Sequence, residues 1–214
     1  MEMKLLAAAS FTLALAAGLS CDLADPLAIL GCQFRIDGTE DFSITGIYLD
    51  SLESLTPTQV AEVVAAWAQG NCPVEFTLNV GIYNPNDGSS GSSLIPVTLS
   101  TFVWDLYLDT ESGLNFDTTW VASGSLGQPF EVPSGGEDIV LPLDISFDAF
   151  TLLEELGPLA FIDLALAIGG IDSGIRDAEH LGRVLVIAVP TLSTPVGDYT
   201  YEGSLYINLD WVDD

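Results

Sequence analysis

The sequence predicts an antiparallel β-sandwich interrupted by one or two helices. Three observations carry that prediction. Val74, Phe76, Leu78, Val80 and Ile82 alternate with Glu75, Thr77, Asn79, Gly81 and Tyr83, the period of two that lines one face of a half-buried strand. Shorter alternating runs recur through the rest of the chain with turn residues between them. Of the 214 residues 49% are apolar, enough for one domain with a true core.

The elements follow in order. DFSITGIYLDSL is strand-like around 43–49. LTPTQVAEVVAAWAQGN carries helix signals at both ends: Thr56 as cap, Pro57 at the first helical position and Gln59 completing a capping box. Val60, Val63, Val64 and Trp67 share one helical face, and Gly70 terminates it. The alternating strand 74–83 then runs into Asn84-Pro85-Asn86-Asp87. Pro85 removes a ladder donor and holds Asn84 extended, while Asn and Asp side chains bond turn backbone. In IPVTLSTFVWDLYLD the apolar phase is odd at Val97 and Leu99, then even at Phe102, Trp104, Leu106 and Leu108, which predicts a bulge near Ser100-Thr101. LNFDTTWVASGSL is a strand ending at Gly124. FEVPSGGEDIVLPLDISF reads as a hairpin around Ser134-Gly135-Gly136, with Pro142 placing its second strand at an edge or bulge. Asp148 caps a short helix to Leu156. Residues 158–168 fit helix or strand, and helix is preferred. GRVLVIAVPTL and YTYEGSLYINLDW close the chain as two strands, Tyr201, Leu205, Ile207, Leu209 and Trp211 facing one way.

The N-terminus addresses the chain for export. Lys4 precedes an apolar run from Leu5 to Leu19, a secretory h-region too short for a comfortable membrane span. Gly18-Leu19-Ser20-Cys21 resembles a bacterial lipobox, which makes Cys21 the lipidated residue. Ile29-Leu30-Gly31-Cys32 is a weaker second match, and cleavage near Ala17 is the plain alternative. The organisation is thus a lipoprotein-type signal peptide over 1–20, a tether over 21–36 and the folded domain over 37–214. Cys32 and Cys72 remain, and export permits them to pair. Such a bridge would contribute about 4 kcal/mol in the chain-entropy model. Two separate buried thiols are the equal alternative. No CxxC is present, so neither zinc nor thioredoxin-like chemistry is expected.

Charge excludes several partners. The chain has 31 Asp and Glu against four Lys and Arg, for a net charge of -27. Phosphates of nucleic acid and anionic lipid are repelled. The acids are spread along the chain and suit a hydrated surface in salt. No D-x-D-x-D-G calcium loop occurs. Asp105, Asp109, Glu111 and Asp117 cluster in sequence, with a solvated loop preferred over a weak cation site. His180 is the only histidine and has no evident nucleophile partner. No catalytic residue, metal site or cofactor is expected.

FTLNVGIYNPND, IPVTLSTFVWDLYLD, WVASGSL and FEVPSGGEDIVLPLDISF, in that order, resemble the late embryogenesis abundant type 2 family, also called the water stress and hypersensitive response domain. Asn84, Pro85 and Asn86 match its tripeptide, Gly124 its glycine, and Leu141-Pro142 its later strand. The resemblance covers 73–147 and extends toward 210; the insertion around 51–71 departs from it. It implies an immunoglobulin-like or fibronectin-III-like sandwich and a role in stress tolerance without shared catalytic residues. The expected function is a non-catalytic, lipid-anchored protective or interaction module of the bacterial envelope, meeting the membrane through its lipid and an envelope protein as partner. The alternative is a carrier or sensor for an apolar ligand, with Phe102, Trp104, Trp120 and the 149–168 segment lining a groove between sheets.

Overall fold

The computed structural model describes residues 31–48, 56–86, 94–109, 118–135, 138–157, 161, 164–165, 168, 184–195 and 197–208. Of these, 59% are strand and 17% helix, so the chain is mainly β. The expected signal peptide, Cys21 and most of the expected tether lie outside the described residues.

The strands are β1 (Gln33–Ile44), β2 (Ile47–Tyr48), β3 (Pro73–Tyr83), β4 (Val97–Asp109), β5 (Thr118–Ser125), β6 (Phe130–Val132), β7 (Ile139–Asp148), β8 (Val184–Thr194), β9 (Gly197–Thr200) and β10 (Leu205–Ile207). The helices are α1 (Pro57–Ala68) and α2 (Phe150–Leu156). Two antiparallel sheets form. The first has the order β2-β1-β3-β7 and the second β10-β8-β4-β5; β6 also pairs with β4 and β9 with β8. The registers place β6 along the β5 edge of β4, and β9 along the β10 edge of β8.

One core lies between the sheets. Val74, Phe76, Leu78, Val80 and Ile82 of β3 are all buried, as their alternation predicts. From the second sheet, Leu99, Phe102, Leu106 and Leu108 face them, each at most 1% exposed. Phe34 stacks on Phe102 across the gap, ring centroids 6.1 Å apart. At one edge the Ile36 N–H donates to the Asn208 carbonyl at 2.6 Å, and the Tyr201 hydroxyl donates to the Cys32 carbonyl at 3.1 Å. These bonds tie β1 to the β9–β10 edge of the other sheet.

The local signals in β4 and α1 hold. The β4–β8 register skips between Leu99 and Thr101, at the phase change in the sequence. Thr56 Oγ1 accepts the Gln59 N–H at 3.3 Å, and Gln59 Oε1 accepts the Thr56 N–H at 2.9 Å, completing the capping box. Gly70 follows at φ +73, the left-handed region only glycine enters freely. Val63 and Trp67 pack on the core while Val64 is exposed. The N-cap of α2 is Ala149, with no side-chain cap bond, and not the expected Asp148; Asp148 Oδ1 instead accepts the Phe150 N–H at 3.0 Å and the Cys72 N–H at 2.9 Å, pinning the beginning of β3 to the entry of α2. Phe161, Leu164, Ala165 and Ile168 are helical and buried. Their i, i+3, i+4, i+7 spacing is that of a helix face, which decides the ambiguity over 158–168 at the described positions.

Three expectations are corrected. The folded part includes residues 32–36, which the expected tether had covered: Cys32, Phe34 and Ile36 are buried, and β1 pairs with β3. FEVPSGGEDIVLPLDISF is no hairpin. Its first strand, β6, pairs with β4 in the second sheet, and its second, β7, pairs with β3 in the first. Alternation reports burial and is silent about which neighbour supplies the ladder. The final strand is two: the Tyr201 N–H still donates to the Pro190 carbonyl of β8 at 3.2 Å, and residues 202–204 then leave the ladder before β10 resumes it at Leu205; Leu209 and Trp211 lie outside the described residues. Pro142 sits on β7, an edge strand of the first sheet, where a missing N–H is tolerated.

Candidate functional site

The residues singled out by sequence separate into framework and surface. Asn84 is 1% exposed and uses its whole amide. Its Nδ2 donates to the Ile95 and Pro133 carbonyls at 3.1 and 3.3 Å, and its Oδ1 accepts from Asn86 N–H at 3.1 Å and Asn86 Nδ2 at 2.8 Å. Two donors and two lone pairs are thereby satisfied. Asn84-Pro85-Asn86 therefore clasps the end of β3, the entry to β4 and the crossover from β6 to β7. Gly124 pairs with Trp104, whose indole lies over it; a Cβ there would come within 2.8 Å of Trp104 Cε2. Both motif elements are occupied in holding the fold.

Cys32 and Cys72 are free and fully buried. Cys32 precedes Gln33, which pairs with Tyr83 at the far end of β3, whereas Cys72 precedes Pro73 at its start. An eleven-residue strand at about 3.3 Å per residue separates them by roughly 35 Å, against about 7 Å at most for a bridge. The expected disulfide alternative is thus excluded by geometry. Burial pushes the Cys32 thiol up to about 12. Burial, with the Asp148 charge second, pushes Cys72 up to about 11. Neither is a nucleophile at neutral pH.

The expected groove of Phe102, Trp104 and Trp120 does not assemble. Phe102 and Trp104 fill the core, while Trp120 is 54% exposed on the opposite face of the sheet. A bulge explains this: Leu106 pairs with Ala122 and Tyr107 with Trp120, so Val121 is the extra residue and Trp120 turns outward. His180, Glu111 and Asp117 lie outside the described residues. Among the described residues no three His, Cys, Asp or Glu side chains are placed to hold a metal ion.

Two surfaces stand out. On the first sheet an open groove of about 310 Å³ is lined by Asp41, Glu75 and Asp144, by Ser43, Thr77 and Ser146, and by Tyr48, Phe76 and Ile145. Nearby, the extra residue of a β1 bulge, Asp37, lies over Gly81 and pairs with Arg35. Arg35 also reaches Asp138 at 3.4 Å and is the one basic residue among the described residues. On the second sheet the outer face is different. Directly paired residues form three rows: Tyr206, Ile187, Asp105 and Ser123; Val189, Val103 and Ser125; Leu185, Tyr107 and Trp120. The rows hold one carboxylate, Asp105, whose Oδ1 accepts the Trp120 indole N–H at 3.3 Å. This face escaped the sequence reading, although VLVIAVP is apolar at every position; such a run in an antiparallel strand has apolar side chains on both faces.

No family model and no curated protein matches the chain. Two solved structures resemble it weakly. A Northeast Structural Genomics Consortium target solved by X-ray crystallography is 8% identical, with 86% of each chain covered and a TM-score of 0.36. A protein from Archaeoglobus fulgidus is 11% identical, covering 83% of this chain and 98% of that one, with a TM-score of 0.34. Likeness at that level establishes neither shared fold nor shared function.

Proposed function

We propose that the protein is a non-catalytic envelope lipoprotein of the late embryogenesis abundant type 2 kind. In this reading an immunoglobulin/fibronectin-III-like domain is held at a bacterial membrane through Cys21, with no cofactor, and protects its surroundings as water is lost. The observation that supports it best is the acidic groove of the first sheet, where Asp41, Glu75 and Asp144 stand among hydroxyls with no cation among the residues that line it. Carboxylates bind water strongly, and a charge of -27 keeps copies apart, so such a surface resists aggregation as solvent is withdrawn. The carrier alternative draws no support from the described core, where Leu99, Phe102 and Leu106 occupy the space between the sheets.

The test is made in the host. Strains lacking the gene are dried and rehydrated with wild type, Cys21→Ser, or the triple variant Asp41→Asn, Glu75→Gln, Asp144→Asn supplied back. Wild type restores survival and the other two restore less. Mass spectrometry of the protein from host membranes finds a diacylglyceryl or triacyl group on Cys21. Full rescue by the triple variant removes the hydration mechanism, and an unmodified Cys21 removes the anchor.

A further inference from the structure

We propose that the outer face of the second sheet docks a basic amphipathic segment of a partner protein, with a Lys or Arg of that segment seated at Asp105 beside Trp120. The proposal is independent of the protective reading, which concerns the other sheet.

The face has an unusual composition for this chain. Val103, Trp120 and Tyr206 are 55, 54 and 60% exposed. They stand with Tyr107, Leu185, Ile187 and Val189 in the three rows that the strand registers define. Past Val103 the same face turns polar at Thr101, Thr191, Thr98 and Ser193, so the apolar area is bounded. Apolar patches of a few hundred Å² are ordinary on monomers, so the charge inside this one and not its size argues for an occupant.

Size and charge identify the occupant. Three gaps of about 4.8 Å between four strands, and four residues of about 3.4 Å along β4, give a patch roughly 14 Å by 14 Å, about 200 Å² in projection. A stable dimer needs about 800 Å² per partner, so a folded second copy is poorly served, whereas one helix or strand fits. A second copy also carries -27 and is repelled, as are anionic lipid and nucleic acid. The field of the molecule draws cations. Most cations would be satisfied at the acidic first sheet. The outer face of the second sheet favours one whose neighbours are apolar: within the three rows Asp105 is the one carboxylate, while Asp109, Glu131 and Asp198 lie in the sheet beyond them. There Asp105 Oδ1 is bonded to the indole N–H, Oδ2 has no partner among the described residues, and the Trp120 ring, 54% exposed, stands beside it.

The test uses a synthetic amphipathic Leu/Lys peptide of roughly 18 residues, about five helical turns. Its controls are a scrambled peptide of equal charge and a neutral Leu/Gln peptide, all in about 0.15 M salt so that diffuse attraction is screened. Binding is followed by calorimetry and mapped by amide chemical shifts on the full protein. The expected result is shifts confined to β4, β5, β8 and β10. Trp120→Ala weakens binding by about tenfold or more, as for an aromatic anchor, and Asp105→Asn by several-fold. The pair Glu75→Gln, Asp144→Asn leaves it within about twofold, the range expected of screened charges outside the contact. Trp120 is exposed and Asp105 half-buried, and Asp105→Asn keeps the side chain's size, so these variants fold; Val103→Ser supplies an independent check. Equal loss from the first-sheet pair and none from Trp120→Ala would overturn the proposal in favour of diffuse attraction. Equal binding of the Leu/Gln peptide would overturn the cationic partner. A concentration-dependent dimer abolished by Trp120→Ala would assign the face to a second copy, and no binding of any peptide would refute it outright.

Discussion

At the scale of single residues, the motif positions that suggest a family act as joints. Asn84 joins three chain segments through one buried amide, so Asn84→Ala leaves the Ile95 and Pro133 carbonyls unpaired. Buried unpaired polar groups cost about 1–3 kcal/mol each, and a loss of about 2–4 kcal/mol is expected in urea unfolding. Asn84→Asp keeps the acceptor for Asn86 and loses both donors, so a smaller loss than Ala would place the weight on the Asn86 side. Gly124→Ala puts a methyl into the Trp104 indole and should cost about 1–3 kcal/mol, since overpacking forces rotamers off their minima. Combined with Trp104→Leu, the two changes should cost less than their sum; additivity would show that the ring does not press on that glycine. The thiols give a pH prediction. The folded pKa of Cys32 is raised from 9.0 to about 12 and that of Cys72 to about 11. Above pH 9 the unfolded chain releases protons that the folded chain retains. Stability is therefore full below pH 9 and falls as pH rises toward 11–12. Unfolding free energies of wild type and of Cys32→Ala, Cys72→Ala measured between pH 8 and 11 should diverge in slope, and parallel curves would contradict the burial of the thiolates' precursors.

At the scale of elements, what was legible is what local physics determines. The α1 boundaries follow from a cap, a proline and a glycine, each acting within a few residues. Thr56→Ala should cost about 1 kcal/mol by thermal unfolding, whereas Thr56→Ser keeps the capping hydroxyl and should cost nothing; equal effects would mean that the box does not act. The β4 bulge was legible because a change of phase inside one strand has only one remedy. The β6–β7 crossover was not, because Val132 and Leu141 are inward-facing whether their strands pair with each other or with β4 and β3. Trp120 was misplaced for a related reason: the Val121 bulge shifts the phase of β5 where Thr118-Thr119 and Ala122-Ser123 give no apolar alternation to reveal it. Of the candidate site, the tripeptide's structural role was foreseen, and the apolar outer face was hidden in a strand that looked merely hydrophobic.

At the scale of the molecule, charge opposes packing. The core holds the sheets together, while 31 acids against four bases repel one another across a domain of this size. Self-repulsion of that magnitude lowers the stability of the compact state relative to an expanded chain. Salt screens it: the Debye length shrinks from about 30 Å at 0.01 M to about 3 Å at 1 M. The melting temperature should therefore rise with sodium chloride over that range, most steeply at the low end where the screening length still spans many carboxylates. Replacing Asp41, Glu75 and Asp144 by their amides removes three neighbouring charges from one groove. That variant should melt higher than wild type in low salt and converge with it in high salt. If the variant instead melts lower at every salt concentration, the groove carboxylates stabilise the fold through their water and hydroxyl partners, and repulsion among them is the smaller effect. Thr77 Oγ1, 3.4 Å from Asp144 Oδ1, makes the comparison sharp, because Asp144→Asn alone alters that bond without changing the other two charges.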